Sequence, residues 1–240
     1  MFWNQIKLKS QKEFSLTSQA IYIFVGKFVQ LGLQFIVPVL LVRIFTQKEY
    51  GQYQEALFYV LLIVPILRFH FTNSLYHFYP IKKKDSEKSE LISQTFFILL
   101  CISFIFFILI YFFQNQLQIL LNSDIVFSSI VPIAIIISLT VSSYLLENIF
   151  IIEKKSRFVL LFFSVDSIIR IILLISLIFY YKTIDAALLA LILHGGARFL
   201  FLTIYLILNF KISIFKIKLL NIKTQLKYVL PMGLTEIIGT

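Results

Sequence analysis

LISQTFFILLCISFIFFILIYFF, residues Leu91–Phe113, is a run of 23 residues without a charged side chain. As an α-helix rising 1.5 Å per residue it extends ~34 Å, enough to cross the ~30 Å hydrocarbon core of a bilayer. Five more runs of this kind lie around it, Ser18–Val42, Tyr53–Tyr79, Ile125–Ile152, Phe158–Tyr181 and Ala186–Phe210, separated by charged or amide-rich breaks. A seventh starts near Leu226 and reaches Thr240. Barrel strands would appear as ~10-residue alternating segments, so these long runs read as helices. Composition agrees: 59% of residues are hydrophobic, 14% are charged and the mean hydropathy is +0.91, beyond the usual ~25% charged content of soluble domains. The first run is no cleaved signal, because it is too long and contains Lys27, Gln30 and Gln34. The expected fold is an all-α polytopic transmembrane bundle with six full spans and the start of a seventh. Its parts are a basic arm over residues 1–17, a six-helix lobe over 18–210, a basic amphipathic connector over 211–225 and the first turns of a seventh helix over 226–240.

Orientation follows from Lys and Arg in the breaks. The N-terminal arm and the second, fourth and sixth breaks hold fifteen cations, whereas the other three breaks hold only Arg43, Lys48 and Lys182. The N-terminus and the basic breaks are therefore expected in the cytoplasm, with Gln114–Asp124, which has no cation, outside. The formal charge of +10 then reflects topology and anionic inner-leaflet lipid rather than nucleic acid. In the sixth break Phe215, Leu219, Ile222 and Leu226 recur at spacings of three and four, with Lys216, Lys223 and Lys227 on another face. That pattern fits a basic amphipathic helix in the inner headgroup region, or a plain connector that touches lipid. Cys101, the single cysteine, reads as a small packing residue inside the third span.

Charged groups inside spans are costly and mostly face protein or water-filled space. By helical rise, Arg170 lies ~18 Å into the fifth span and Arg198 ~18 Å into the sixth, both near the midplane, with Arg68 ~16 Å and Lys27 ~13 Å from the inner side. Asp166, four residues before Arg170, is expected to pair with it, and Glu147 lies near the cytoplasmic end of its span and can snorkel. Gln19, Lys27, Gln30 and Gln34 fall within an arc of about 80° on the first helix, a stripe that belongs against a cavity or another helix. Glu55, Tyr59, His70, Asn73 and His77 form a weaker stripe on the second, where Pro65 is a candidate kink. Neither His70 nor His77 has an acidic or thiol partner at metal-ligand spacing, so no metal site is expected. Two readings of the deep charges stand side by side. They act as helix-to-helix glue, or the excess of cations receives an anion such as a diphosphate at Lys27, Arg68, Arg170 and Arg198, with Gln30, Gln34 and Asp166 lining or pairing.

RIFTQKEYGQY, Arg43–Tyr53, resembles the first outer loop of bacterial oligosaccharide flippases of the O-antigen type, in the polysaccharide-transport branch of the multidrug/oligosaccharidyl-lipid/polysaccharide exporter superfamily. NSLYHFYP followed by KKKD, Asn73–Asp85, is similar to the end of their second helix and its basic loop, although Phe71 stands where a small Gly is common. LKYVLPMGL, Leu226–Leu234, resembles the start of their seventh helix. The resemblance implies two six-helix lobes around a cationic cavity open alternately to each side, of which this chain would carry the N-terminal lobe and the beginning of the next. It implies a multi-pass protein of the bacterial inner membrane that moves undecaprenyl-diphosphate-linked oligosaccharide outward for polysaccharide or lipopolysaccharide biosynthesis. The partners it implies are this lipid-linked anionic oligosaccharide, membrane lipids, and a second lobe or a second copy covering the open face; no cofactor is expected.

Three rival functions would leave different marks on the sequence. A drug or cation exporter of the same superfamily would show buried carboxylates outnumbering buried cations. A non-transporting scaffold fragment fits a lone lobe. A membrane-embedded glycan-processing enzyme would need a catalytic acid or base, and Glu49, Glu55, Asp124 and Asp185 show no paired spacing. No HExxH, GxSxG or phosphate-cradling Gly loop occurs in the sequence, so no catalytic residue is assigned.

Overall fold

The structure is a computed structural model describing residues 16–121, 124–212 and 219–239. Among them the chain forms nine helices: α1 Leu16–Ile44, α2 Gln47–Arg68, α3 Phe71–Ile81, α4 Asp85–Leu121, α5 Asp124–Ser143, α6 Leu145–Ile152, α7 Ser156–Tyr181, α8 Ile184–Phe210 and α9 Leu219–Gly239. Six stretches are long and apolar enough to cross a membrane, α2 with α3 and α5 with α6 each making one of them. The fold is thus an all-α, polytopic membrane bundle of six spans with part of a seventh.

Local chemistry sets the breaks. Between α1 and α2, Thr46 and Glu49 form a reciprocal capping box: the Glu49 amide donates to Thr46 Oγ1 at 3.3 Å and the Thr46 amide donates to Glu49 Oε2 at 2.9 Å, so two amides that the first turn leaves over are satisfied. Thr183 caps α8 by accepting from the Ala186 amide at 3.4 Å. The second span breaks at Phe69 and His70, whose φ of 42° and 58° are left-handed, four residues beyond Pro65, the candidate kink. The turn rotates α3 against α2, so the expected stripe from Glu55 to His77 is not one face. Tyr59 donates to Glu55 within α2 at 3.1 Å, while His77 stacks on Tyr228 of α9 at 4.5 Å.

Two expected boundaries move. The break placed at Gln114–Asp124 is helical as far as Leu121, because Gln and Leu are strong helix formers and nothing there stops the helix. The connector's residues 213–218 lie outside the described residues, as do residues 1–15 of the basic arm. From Leu219 onward the chain is already part of α9, which runs unbroken past Leu226.

The fourth span is the centre of the bundle, 56% buried where the others are 17–33%. α5 packs on α4, α8 and α2, and α8 carries α7, along which α1 lies. Gly26 permits that last contact: a Cβ there would stand 3.0 Å from Leu160 Cα and 3.1 Å from the Phe163 ring, the close backbone approach that small residues give membrane helices. Ser103 and Ser142 join α4 to α5 with a 3.1 Å hydrogen bond. We expect Gly26→Val to separate α1 from α7 and cost about 1–3 kcal/mol, read as a lower detergent melting temperature. Gly32→Ala on the same helix, where nothing lies within 4 Å, should leave it unchanged.

α9 docks through a glutamine. Gln225, 1% exposed, accepts from Gln94 Nε2 at 2.8 Å and donates to Ser74 Oγ at 2.6 Å and Thr95 Oγ1 at 3.0 Å, tying α9 to α3 and α4 at once. About two turns farther along, Gly233 presses on the α2–α3 break, where a Cβ would meet the Phe69 ring at 2.7 Å. Gln225→Leu should strand these buried polar partners at about 1–3 kcal/mol and loosen α9, which faster protease cleavage after Lys223 or Lys227 would report.

Candidate functional site

Because α1 packs along α7 and barely touches α2, a cleft opens between them. It leads into a cavity of about 470 Å³ walled by α1, α2, α5, α7 and α8. Gln30, Gln34, Arg68, Asp166, Arg170 and Arg198 all line it. A second cavity of about 350 Å³ adjoins it, sharing Gln30, Arg68, Tyr144 and Arg198 and adding Lys27 and Glu147. All seven side chains singled out in the sequence therefore line one or both of these neighbouring cavities. Its charged lining is four cations, Lys27, Arg68, Arg170 and Arg198, against two carboxylates, Asp166 and Glu147.

The cations are held in different ways. Lys27 pairs with Glu147 at 3.4 Å, with Lys27 still half exposed and Glu147 mostly covered, so Glu147 bonds across to α1 rather than snorkelling. Arg68 lies flat on the Tyr144 ring, its Cζ 3.8 Å from the centroid. Such stacking fixes a guanidinium without using its N–H donors. The expected pairing of Asp166 with Arg170 does not form. Asp166, 8% exposed, turns to α8 instead: its Oδ1 is 3.0 Å from His194 Nε2 and its Oδ2 is 3.5 Å from Arg198 Nη1. His194 and Arg198, one turn apart on the neighbouring helix, each take one of the two carboxylate oxygens. Arg170 is left facing the Tyr53 hydroxyl without a well-formed hydrogen bond. Among the described residues no carboxylate comes within 4 Å of Arg68 or Arg170, and the buried Nε of Arg68, Arg170 and Arg198 has no protein partner. Buried donors of that kind call for an explanation.

Two residues of the site escaped the sequence reading. His194 stands four residues before Arg198, and that spacing, which puts both on one face of α8, was its available signal. Tyr144 carries Arg68 and lies 5.8 Å from Arg198 Cζ; its place at the α5–α6 break had no such mark. Among the described residues no group of three or more His, Cys, Asp or Glu could hold a metal ion.

Comparison with curated proteins and with solved structures gives no match. Comparison with protein families gives one, described as polysaccharide biosynthesis protein, over residues 16–240. That match takes in every helix described above and the whole cationic cavity, and the chain belongs to this family of membrane-embedded polysaccharide biosynthesis proteins.

Proposed function

We propose that the protein works as a flippase, or the N-terminal lobe of one, whose cavity takes the diphosphate and first sugars of an undecaprenyl-diphosphate-linked oligosaccharide and passes them across the bacterial cytoplasmic membrane for polysaccharide or lipopolysaccharide biosynthesis. The observation that carries this reading is the set of three arginines lining one cavity, two of which, Arg68 and Arg170, have no carboxylate within 4 Å among the described residues. Four cations against two carboxylates leave two positive charges in the lining, and a diphosphate supplies opposite charge with oxygens spaced for bidentate guanidinium bonds. Gln30 and Gln34, half-buried on α1, offer amide donors and acceptors to sugar hydroxyls. Nothing in this chemistry breaks a covalent bond, so the reading is transport and not catalysis. An exporter of cations fits less well, since the lining is net positive.

The direct test is to deplete the protein in its host and follow the lipid-linked oligosaccharide. It should accumulate on the cytoplasmic leaflet while surface glycan falls, and unchanged leaflet distribution would remove the proposal. The orientation is tested separately. Reporter fusions after Asp124 and Lys182 should read as periplasmic, and those after Lys84, Lys155 and Lys218 as cytoplasmic. A cytoplasmic signal after Asp124 would invert the topology.

A further inference from the structure

On the side of α7 and α8 away from the central cavity lies a groove of about 310 Å³, lined by Phe150, Phe158, Phe162, Val165, Ala197 and Phe201 among others. Its floor is the Asp166–His194–Arg198 cluster, so this cluster is a wall shared by a polar cavity and an apolar groove. Leu161 and Val165 are 56% and 51% exposed along the groove, which is open to the outer surface of the helices.

We propose that this groove holds one acyl chain of an anionic phospholipid from the leaflet on the basic side of the membrane. Three observations define that occupant. The lining is apolar and aromatic, which suits a hydrocarbon chain, and Phe162 and Phe201 stack with ring centroids 6.5 Å apart to wall it. The groove starts at Phe158, beside the turn before α7, and ends near Ile169, a rise of ~16 Å that matches half of the ~30 Å core, one leaflet's depth. Just before Phe158 in the chain come two exposed cations, Lys154 in the turn and Arg157 in the first turn of α7, the latter over the Tyr22 ring of α1 at 5.8 Å, at the end of the span where cations attract anionic lipid. A seated chain covers the Asp166 cluster from the bilayer side, where a poorly shielded carboxylate and guanidinium are costly. This inference does not depend on the transport reading.

The test uses the full chain in vesicles containing phosphatidylglycerol or phosphatidylcholine with the same acyl chains, one of them carrying a photoactivatable diazirine. Label from phosphatidylglycerol should concentrate on peptides holding Phe158–Ile169 and Ala197–Phe201. Ala197→Trp fills the groove and should remove most of that label while leaving label on the outer face of α1, at Phe24 and Phe28, unchanged; the α1 signal reports folding in the same molecule. Should Ala197→Trp not fold, Ala197→Leu narrows the groove less drastically and should lower the label in part. Lys154→Gln with Arg157→Gln should keep chain labelling but weaken the preference for phosphatidylglycerol, by roughly fivefold for each cation lost. Label spread evenly over all exposed apolar helices, or unaffected by a folded Ala197 variant, would overturn the site. Displacement of the phosphatidylglycerol label by an equal mole fraction of polyprenyl phosphate would overturn the phospholipid as its occupant.

Discussion

Arg170→Ala is expected to lower surface glycan per molecule of membrane protein by about tenfold or more, with little change in the amount of protein. The magnitude follows from losing one or two hydrogen bonds to a charged group, each worth about 1.5–3 kcal/mol. The stability side follows from what Arg170 does not touch. It reaches the midplane on α7, has no carboxylate within 4 Å among the described residues and leaves its Nε without a protein partner, so removing it breaks no ion pair of the fold. Arg170→Lys should lie between wild type and alanine, since an ammonium keeps the charge but not the planar fork that grips two phosphate oxygens. Lys84→Ala, on the exposed basic loop between α3 and α4, should change neither quantity. Normal glycan at normal abundance in Arg170→Ala would end the assignment of this arginine to the substrate.

The spans and the deep charges were legible in the sequence because both rest on one-dimensional signals. Apolar run length is fixed by bilayer thickness, and depth is residue count times helical rise. Partner choice was not legible, and Asp166 shows why. An i,i+4 neighbour is the natural expectation on an isolated helix, but once α7 and α8 pack, the pair His194 and Arg198 presents two donors to one carboxylate. Glu147 repeats the lesson: sequence places it near a membrane face, whereas packing of α1 brings Lys27 to it at 3.4 Å. The break at Phe69–His70 was displaced for a related reason. Pro65 marks a weak point in the hydrogen-bond ladder, but the chain turns where the Phe69 ring can pack under Gly233 of a helix more than 160 residues later. Tertiary contacts of that range leave no local signature.

Those partner choices divide the arginines into two kinds, and the division yields the largest stability effect expected in the protein. Asp166→Ala takes the single carboxylate from between His194 and Arg198, leaving a guanidinium 15% exposed with no other carboxylate within 4 Å among the described residues. Breaking one member of a buried pair typically costs about 3–5 kcal/mol, so Asp166→Ala should fall sharply in membrane abundance and detergent melting temperature where Arg170→Ala does not. Arg198→Ala should be milder, because His194 still bonds Asp166 at 3.0 Å. The double variant Asp166→Leu/Arg198→Leu removes both charges together and should recover much of the abundance lost in Asp166→Ala, a coupling of about 0.5–3 kcal/mol between the sites. Glue and substrate contact now predict different things for that double variant. If Arg198 serves only to hold α8 against α7, restoring the fold restores surface glycan with it. If Arg198 also receives the anionic ligand, abundance returns while glycan per molecule stays low, because the guanidinium is gone. Measuring both in the same cells separates the two, and full recovery of glycan would withdraw Arg198 from the binding site and leave Lys27, Arg68 and Arg170 as its cations.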